Sequence, residues 1–282
     1  MHVYSGGPVM NHKTTKKDVL ITVAAAAVCL FLYLVLGRFI KNLFQNDFAG
    51  YFAGQLFLAV LAMCAAVFLK KTALFKSEGK YLGKGWLSAG FLFVLFLLWF
   101  FLGLPEIAKA TITSTELILF LGQMFLVGFG EEVLFRGLIQ RTLHRYFGET
   151  SLKQVLTAIF FSGVIFGGVH LFNGVGAKIP WAAAAIQAAV NIFSGMYFGA
   201  IYYRTGKNIW YMIFLHALYD MLGFIAGGRL SGNTPVNIIS APSGEGWFVY
   251  LIWIAVYTLV TLFVLRPKKT APLLKKEEDQ TA

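Results

Sequence analysis

The chain has 282 residues, of which 58% are hydrophobic and only 13% are charged. Soluble domains carry about 25% charged residues, so this composition excludes a water-soluble fold. The formal net charge is +11, but Lys and Arg stand in short clusters between apolar runs, which argues against nucleic acid and favours contact with anionic membrane lipids. Cys29 and Cys64 each lie inside an apolar run, which argues against a disulfide framework.

Eight apolar runs are long enough to cross a bilayer as helices, since about 20 residues are needed. They predict an all-α, polytopic transmembrane bundle with spans at 18–40, 48–69, 86–104, 115–145, 152–172, 181–203, 208–227 and 247–265. The first run is too long for the core of a cleaved signal peptide and is predicted to be a membrane anchor. The fourth run exceeds a perpendicular span, so we expect it to tilt or to project from the bilayer.

The distribution of basic residues predicts that both termini are cytoplasmic. With the N-terminus inside and eight alternating spans, 18 of the 24 Lys and Arg residues fall on the inner side, as the positive-inside rule requires. The predicted organisation is a cytoplasmic tail at 1–17, a transmembrane domain at 18–265 and a cytoplasmic tail at 266–282. Three connecting or terminal segments are predicted in addition: an interfacial stretch at 72–84, a long external loop at 228–246 and a solvated charge run at 275–282.

Ionisable residues inside the spans are informative because each one is costly at the bilayer centre unless it is paired or hydrated. They lie on the fourth, fifth and seventh spans, and they are Glu131, Glu132, Arg136, His170, His216 and Asp220. Such residues mark either a functional site or a polar contact between helices.

The segment GEEVLFRG carries two adjacent carboxylates and one guanidinium. Glu132 and Arg136 are four residues apart on one helix face and can form an ion pair. Glu131 points about 100° away and is left without a local partner, which suits a general base or acid. The alternative is a buried charge cluster that only fixes helix packing.

Two histidines stand on other spans. His170 follows Gly163 and Gly167, which form a small-residue pattern that lets another helix approach closely. His216 and Asp220 are one turn apart, and Gln187 and Asn191 could line the same polar cavity. Hydrogen bonding between helices would explain each of these residues singly. Glu131, His170 and His216 together would supply a base for water and donors for an oxyanion, as peptide hydrolysis requires.

Three motifs in this order resemble those of the CAAX prenyl endopeptidase and bacteriocin-processing family, also called the Abi family. They are EExxxR (Glu131, Glu132, Arg136), FxxxH (Phe166, His170) and HxxxN/D (His216, Asp220). The resemblance covers about 115–227, the predicted peptidase-like core, and the first two spans carry no part of it.

The resemblance implies an eight-helix intramembrane glutamate endopeptidase that works without a metal or other cofactor. Glu131 and His170 would activate water, His216 and Asp220 would stabilise the oxyanion, and Glu132, Arg136 and Phe166 would support the site. The implied substrate is a peptide or protein tail, lipidated or not, and a bacterial cell membrane is favoured over the endoplasmic reticulum as the location.

One departure from the family pattern concerns Asp220, because the prenyl-protein peptidases carry Asn at this position. An ionised Asp cannot donate a hydrogen bond to an oxyanion, so Asp220 is either protonated, or orients His216, or helps to hold a metal such as zinc. Two non-proteolytic functions remain as alternatives. One is a non-catalytic scaffold or bacteriocin self-immunity protein, and the other is a proton-coupled transporter.

Overall fold

The computed structural model describes residues 14–76, 82–176, 179–235 and 247–274. Within these residues seven helices are long and apolar enough to cross a membrane. They are α1 (Lys16–Asn42), α2 (Asp47–Phe68), α3 (Gly90–Ala108), α4 (Ser114–Phe147), α5 (Leu152–Val175), α6 (Trp181–Arg204) and α7 (Ile209–Ala226). An eighth, α8 (Trp247–Val264), is followed by the segment Pro267–Leu273 after a bend of 53°. The predicted all-α polytopic bundle is confirmed.

Helix boundaries follow local capping signals in the sequence. Capping boxes formed by Thr15 with Asp18, Thr113 with Glu116 and Ser151 with Gln154 open α1, α4 and α5, because each pair satisfies backbone amides that would otherwise lack a partner. Gly148 ends α4 at φ 91°, a left-handed conformation that favours glycine. The long fourth element therefore ends in a sharp turn.

Small residues bring the central helices into close contact. A methyl group at Gly167 would lie 2.4 Å from the backbone nitrogen of Ile192, and one at Gly163 would lie 2.8 Å from the Ile192 carbonyl. The predicted close approach to α5 is thus confirmed, and its partner is α6. A methyl group at Gly128 would lie 2.7 Å from the Ile213 carbonyl, so α4 and α7 are equally close. These contacts pair α5 with α6, and they pair α4 with α7, the two helices that carry Glu131 and His216.

Two boundaries differ from the prediction. The third span begins at Gly90 rather than at 86, because a separate short helix, Leu82–Ser88, precedes it. At the C-terminal end the fold continues past the boundary predicted at 265. Thr270 is buried, the Arg204 guanidinium donates to the Lys269 carbonyl, and the Tyr203 hydroxyl donates to the Leu273 carbonyl.

The predicted connecting segments are described only in part. Leu74 is fully buried while Thr72, Ala73 and Lys76 are exposed, so the described start of the 72–84 stretch lies at the surface with one leucine side chain inserted into the bundle. In the 228–246 loop, Arg229 is buried and lies 2.8 Å from Asp47, which fastens the start of the loop to α2. Residues 77–81, 236–246, 1–13 and the charge run at 275–282 lie outside the described residues.

Candidate active site

A large cavity opens between the helices, and we call it the central cavity. Its volume is about 1180 Å³. Its polar lining from α4 to α7 includes Glu131, Arg136, His170, Gln187, Asn191, His216 and Asp220. Glu131, His170, His216 and Asp220 were all predicted as site residues, and the fold brings them to one space although they come from three different helices.

Glu132 organises the wall behind this cavity. Its side chain is fully buried, and its Oε1 atom lies 3.1 Å from Nη1 of Arg136. The same oxygen accepts a hydrogen bond from Nδ1 of His216 at 2.7 Å. A carboxylate that accepts from Nδ1 fixes both the ring orientation and the protonated nitrogen. The Nε2 atom of His216 is therefore the one available for chemistry.

The other two carboxylates lie on the Nε2 side of the His216 ring. Oε2 of Glu131 is 3.7 Å from Nε2, and Oδ2 of Asp220 is 3.5 Å from it. Their side chains are 22% and 20% exposed. The adjacent residues Glu131 and Glu132 thus have different environments, since Glu132 is buried and paired while Glu131 lines the cavity.

Phe166 and Phe198 enclose Arg136. The guanidinium carbon lies 4.2 Å from the ring centre of Phe166 and 5.6 Å from that of Phe198, both within the range of cation–π attraction. The Phe166 ring also makes edge contacts with His170 and His216, at centroid distances of 5.0 and 6.3 Å. Phe166 therefore packs against Arg136 and both imidazoles.

His170 lies where the regular part of α5 ends and a tighter 3₁₀ turn begins. Its Nδ1 atom donates to the Phe166 carbonyl at 2.8 Å, because a carbonyl oxygen can only accept. In a neutral ring this leaves Nε2 as an acceptor. Within the described residues Glu131 and His170 are not bonded directly to each other, so they share the cavity without an ion pair.

Glu131 and Glu132 lie where α4 changes from an α-helix to a π-helix. The α-helical part ends at Glu132, and Val133–Gln140 forms a π-helix whose side chains are all buried. A π-segment inside an α-helix is frequently found at a functional site, because it turns the following side chains relative to the preceding ones. Glu131 and Glu132 therefore lie just before the π-segment, and Arg136 lies within it.

Zinc in proteins is bound by His, Cys, Asp and Glu side chains. In the part of the chain that the structure describes, no group of three or more His, Cys, Asp or Glu side chains is arranged to hold a metal ion. Glu131 and Asp220 approach Nε2 of His216 at 3.7 and 3.5 Å, but these three side chains do not form such a group.

The sequence interpretation missed part of the cavity wall. Tyr33 of α1 and Gln55 of α2 line the cavity and are joined by a hydrogen bond of 2.6 Å. On the opposite wall the hydroxyl groups of Tyr219 and Tyr257, from α7 and α8, lie 2.8 Å apart. The cavity therefore extends beyond the predicted core at 115–227. The one available signal was the polar side chain of Gln55 inside an otherwise apolar run.

Comparison with known families agrees with this geometry. Residues 113–222 match the family described as type II CAAX prenyl endopeptidase, Rce1-like. This segment is therefore similar to type II CAAX prenyl endopeptidases. The match includes every predicted site residue from Glu131 to Asp220 and covers α4 to α7 almost completely. Among curated proteins the search found no match.

Proposed function

We propose that the protein is a metal-independent intramembrane endopeptidase that cleaves a peptide or protein tail, lipidated or not, at the membrane. The observation that carries the proposal is the arrangement of Glu131, His170, His216 and Asp220 around the central cavity. The cavity is large enough for an extended peptide segment. Membership of residues 113–222 in an Rce1-like family supports the same reaction class.

The first step of the proposed reaction is water activation. Glu131 takes a proton from a water molecule, and His170 accepts a hydrogen bond from the same water through Nε2, the nitrogen left free by the Phe166 carbonyl. The resulting hydroxide attacks the carbonyl carbon of the substrate and forms a tetrahedral oxyanion. Glu131 is suited to this step because it faces the cavity and is not held by Arg136.

The second step is collapse of the tetrahedral intermediate. Nε2 of His216, when protonated, donates to the oxyanion, and a protonated Asp220 can add a second donor. Glu132 and Arg136 keep the His216 ring in place. The C–N bond then breaks, the proton held by Glu131 passes to the leaving amine, and a carboxylic acid and an amine are released, after which the acid passes its proton to the amine in water.

The experiment is cleavage of a quenched-fluorescent peptide library by the purified protein in detergent, with and without a chelator. We expect cleavage that resists the chelator and is abolished by Glu131→Gln. The matched control is Glu116→Gln, which changes a glutamate at the far end of the same helix, outside the cavity. Asp220→Asn should retain activity, because an amide can donate where a protonated carboxyl does.

Three results would contradict the proposal in different ways. Cleavage that survives Glu131→Gln would exclude this residue as the base. Cleavage that is lost with chelator would restore the zinc alternative. A wild-type protein that cleaves no peptide, although it remains folded, would favour the non-catalytic alternative, namely a membrane scaffold or bacteriocin self-immunity protein.

A further inference from the structure

A second polar cluster lies at the opposite end of the bundle, and we call it the basic pocket. It is a small cavity of about 60 Å³, and its charged lining consists of Lys70, Lys71, Arg141 and Arg145. The lysines follow the end of α2, whereas the arginines are one turn apart on α4. Gly137 and Thr142 also line it, and neither residue contributes to the central cavity.

Lys71 is held at the centre of this pocket by uncharged groups. Its Nζ atom donates to the hydroxyls of Thr22 and Thr142, each at 2.6 Å. Partial burial, followed by the charges of Arg145 and Arg141, lowers the pKa of Lys71 to about 8, and Asp18 opposes this effect. Hydroxyl partners do not neutralise an ammonium group, so the positive charges of the pocket repel one another.

The surrounding acidic groups already have other partners. Asp18 is exposed and caps the start of α1 through Thr15. Glu149, which attracts Arg145, is bonded to Lys207. Lys70 adopts a left-handed conformation with φ 54°, which is uncommon for a residue other than glycine. The chain thus places four cations around one cavity with little compensating negative charge.

We propose that the basic pocket binds a phosphate group, either that of an anionic lipid headgroup or free phosphate. Two guanidinium groups, two ammonium groups and the Thr142 hydroxyl supply the charge-assisted donors that phosphate oxygens accept. The space is several times that needed for one water molecule. Lys70 comes two residues after the end of α2 at Phe68, and residues that flank a membrane span meet the headgroup region.

The experiment uses the full chain in nanodiscs, with thermal unfolding and lipid retention in native mass spectrometry as readouts. One arm compares phosphatidylcholine discs with discs that contain phosphatidylglycerol. The other arm adds inorganic phosphate to phosphatidylcholine discs. Stabilisation by phosphatidylglycerol alone identifies a lipid ligand, and stabilisation by inorganic phosphate identifies free phosphate.

Variants of the pocket decide whether binding is specific. Arg141→Gln and Arg145→Gln should each weaken the binding of the stabilising ligand about fivefold, which is the effect of removing one cation near an anionic surface. Arg145 is exposed, so its replacement leaves the packing intact and remains informative if another variant fails to fold. The control is Lys153→Gln, an exposed cation at the start of α5 that does not line the pocket. An equal loss in Lys153→Gln, or no stabilisation in either arm, would overturn the proposal.

Discussion

The adjacent residues Glu131 and Glu132 differ in what the sequence can predict about them. The ion pair between Glu132 and Arg136 follows from helical spacing alone, and so does the different direction of Glu131. The hydrogen bond from His216 to Glu132 spans 84 positions of sequence, and no local pattern encodes such a contact. Consequently the sequence identified the residues of the candidate site but not the group that orients His216.

We expect Glu132→Gln to destabilise the protein much more than Glu131→Gln. Glu132 is fully buried between Arg136 and His216, and removal of its charge leaves a buried guanidinium without its counter-ion. Breaking such a pair costs about 3–5 kcal/mol. Glu131 lines a cavity and should change stability by less than about 1 kcal/mol. Thermal unfolding of both variants in detergent tests this difference, and equal losses would contradict the assigned positions.

Lys71 gives the free energy of unfolding a specific pH dependence. Its pKa is about 8 in the fold and about 10.4 in an unfolded chain. Between these values the folded state binds fewer protons, so the free energy of unfolding rises with pH. The gain is of the order of 1 kcal/mol, after a discount for solvent screening.

The measurement for this prediction is the difference in Tm between the wild type and Lys71→Met as pH is raised. Above pH 8 the Tm of the wild type should rise relative to that of Lys71→Met, because the variant lacks the titrating group. Asp18, Arg141 and Arg145 face Lys71 and are present in both proteins. A difference that stays constant with pH would show that the ammonium group is not desolvated in the fold.

At the level of helices, the number and order of the spans could be predicted from hydropathy, because each run must satisfy its backbone polar groups internally in lipid. Local winding could not be predicted. The π-helix at Val133–Gln140 has no distinctive composition and depends on the packing of its buried side chains. The start of α3 was misplaced for a related reason, since Gly85 packs against Thr205 and Tyr211 and so belongs to a separate short helix.

The contact between α5 and α6 predicts unequal effects of two neighbouring glycine substitutions. A methyl group at Gly167 meets the Ile192 nitrogen at 2.4 Å and the Ala188 carbonyl at 2.6 Å. Backbone atoms cannot move aside as a flexible side chain would, so Gly167→Ala should cost about 1–3 kcal/mol. Cleavage should also fall, because Phe166 and His170 lie on the displaced segment.

Gly168→Ala is the matched control for this prediction, since a methyl group there has no atom within 4 Å. Its thermal stability and cleavage rate should equal those of the wild type. Equal behaviour of the two alanine variants would show that α5 and α6 are not as close as the structure places them.

At the level of the whole molecule, the two cavities lie toward opposite faces. The central cavity extends to residues near the ends of α1, α5 and α7 and the start of α2, namely Arg38, Asn42, Tyr51, Asn173 and Pro235. These helix ends lie on the face away from the start of α1. The basic pocket lies at the other face, beside the end of α2. If the concentration of basic residues marks the cytoplasmic side, the candidate active site is open toward the exterior.

Cysteine labelling of intact cells tests this orientation. The background protein carries Cys29→Ala and Cys64→Ala. In this background we expect a membrane-impermeant maleimide to label Asn42→Cys without lysis of the cells, because position 42 is exposed beside the central cavity. Lys153→Cys, exposed at the opposite face, should react only after lysis. This result would direct the search for substrates toward segments presented at the outer surface of the membrane. The reverse pattern would place the cavity on the cytoplasmic side, where protein tails in the cytosol could reach Glu131.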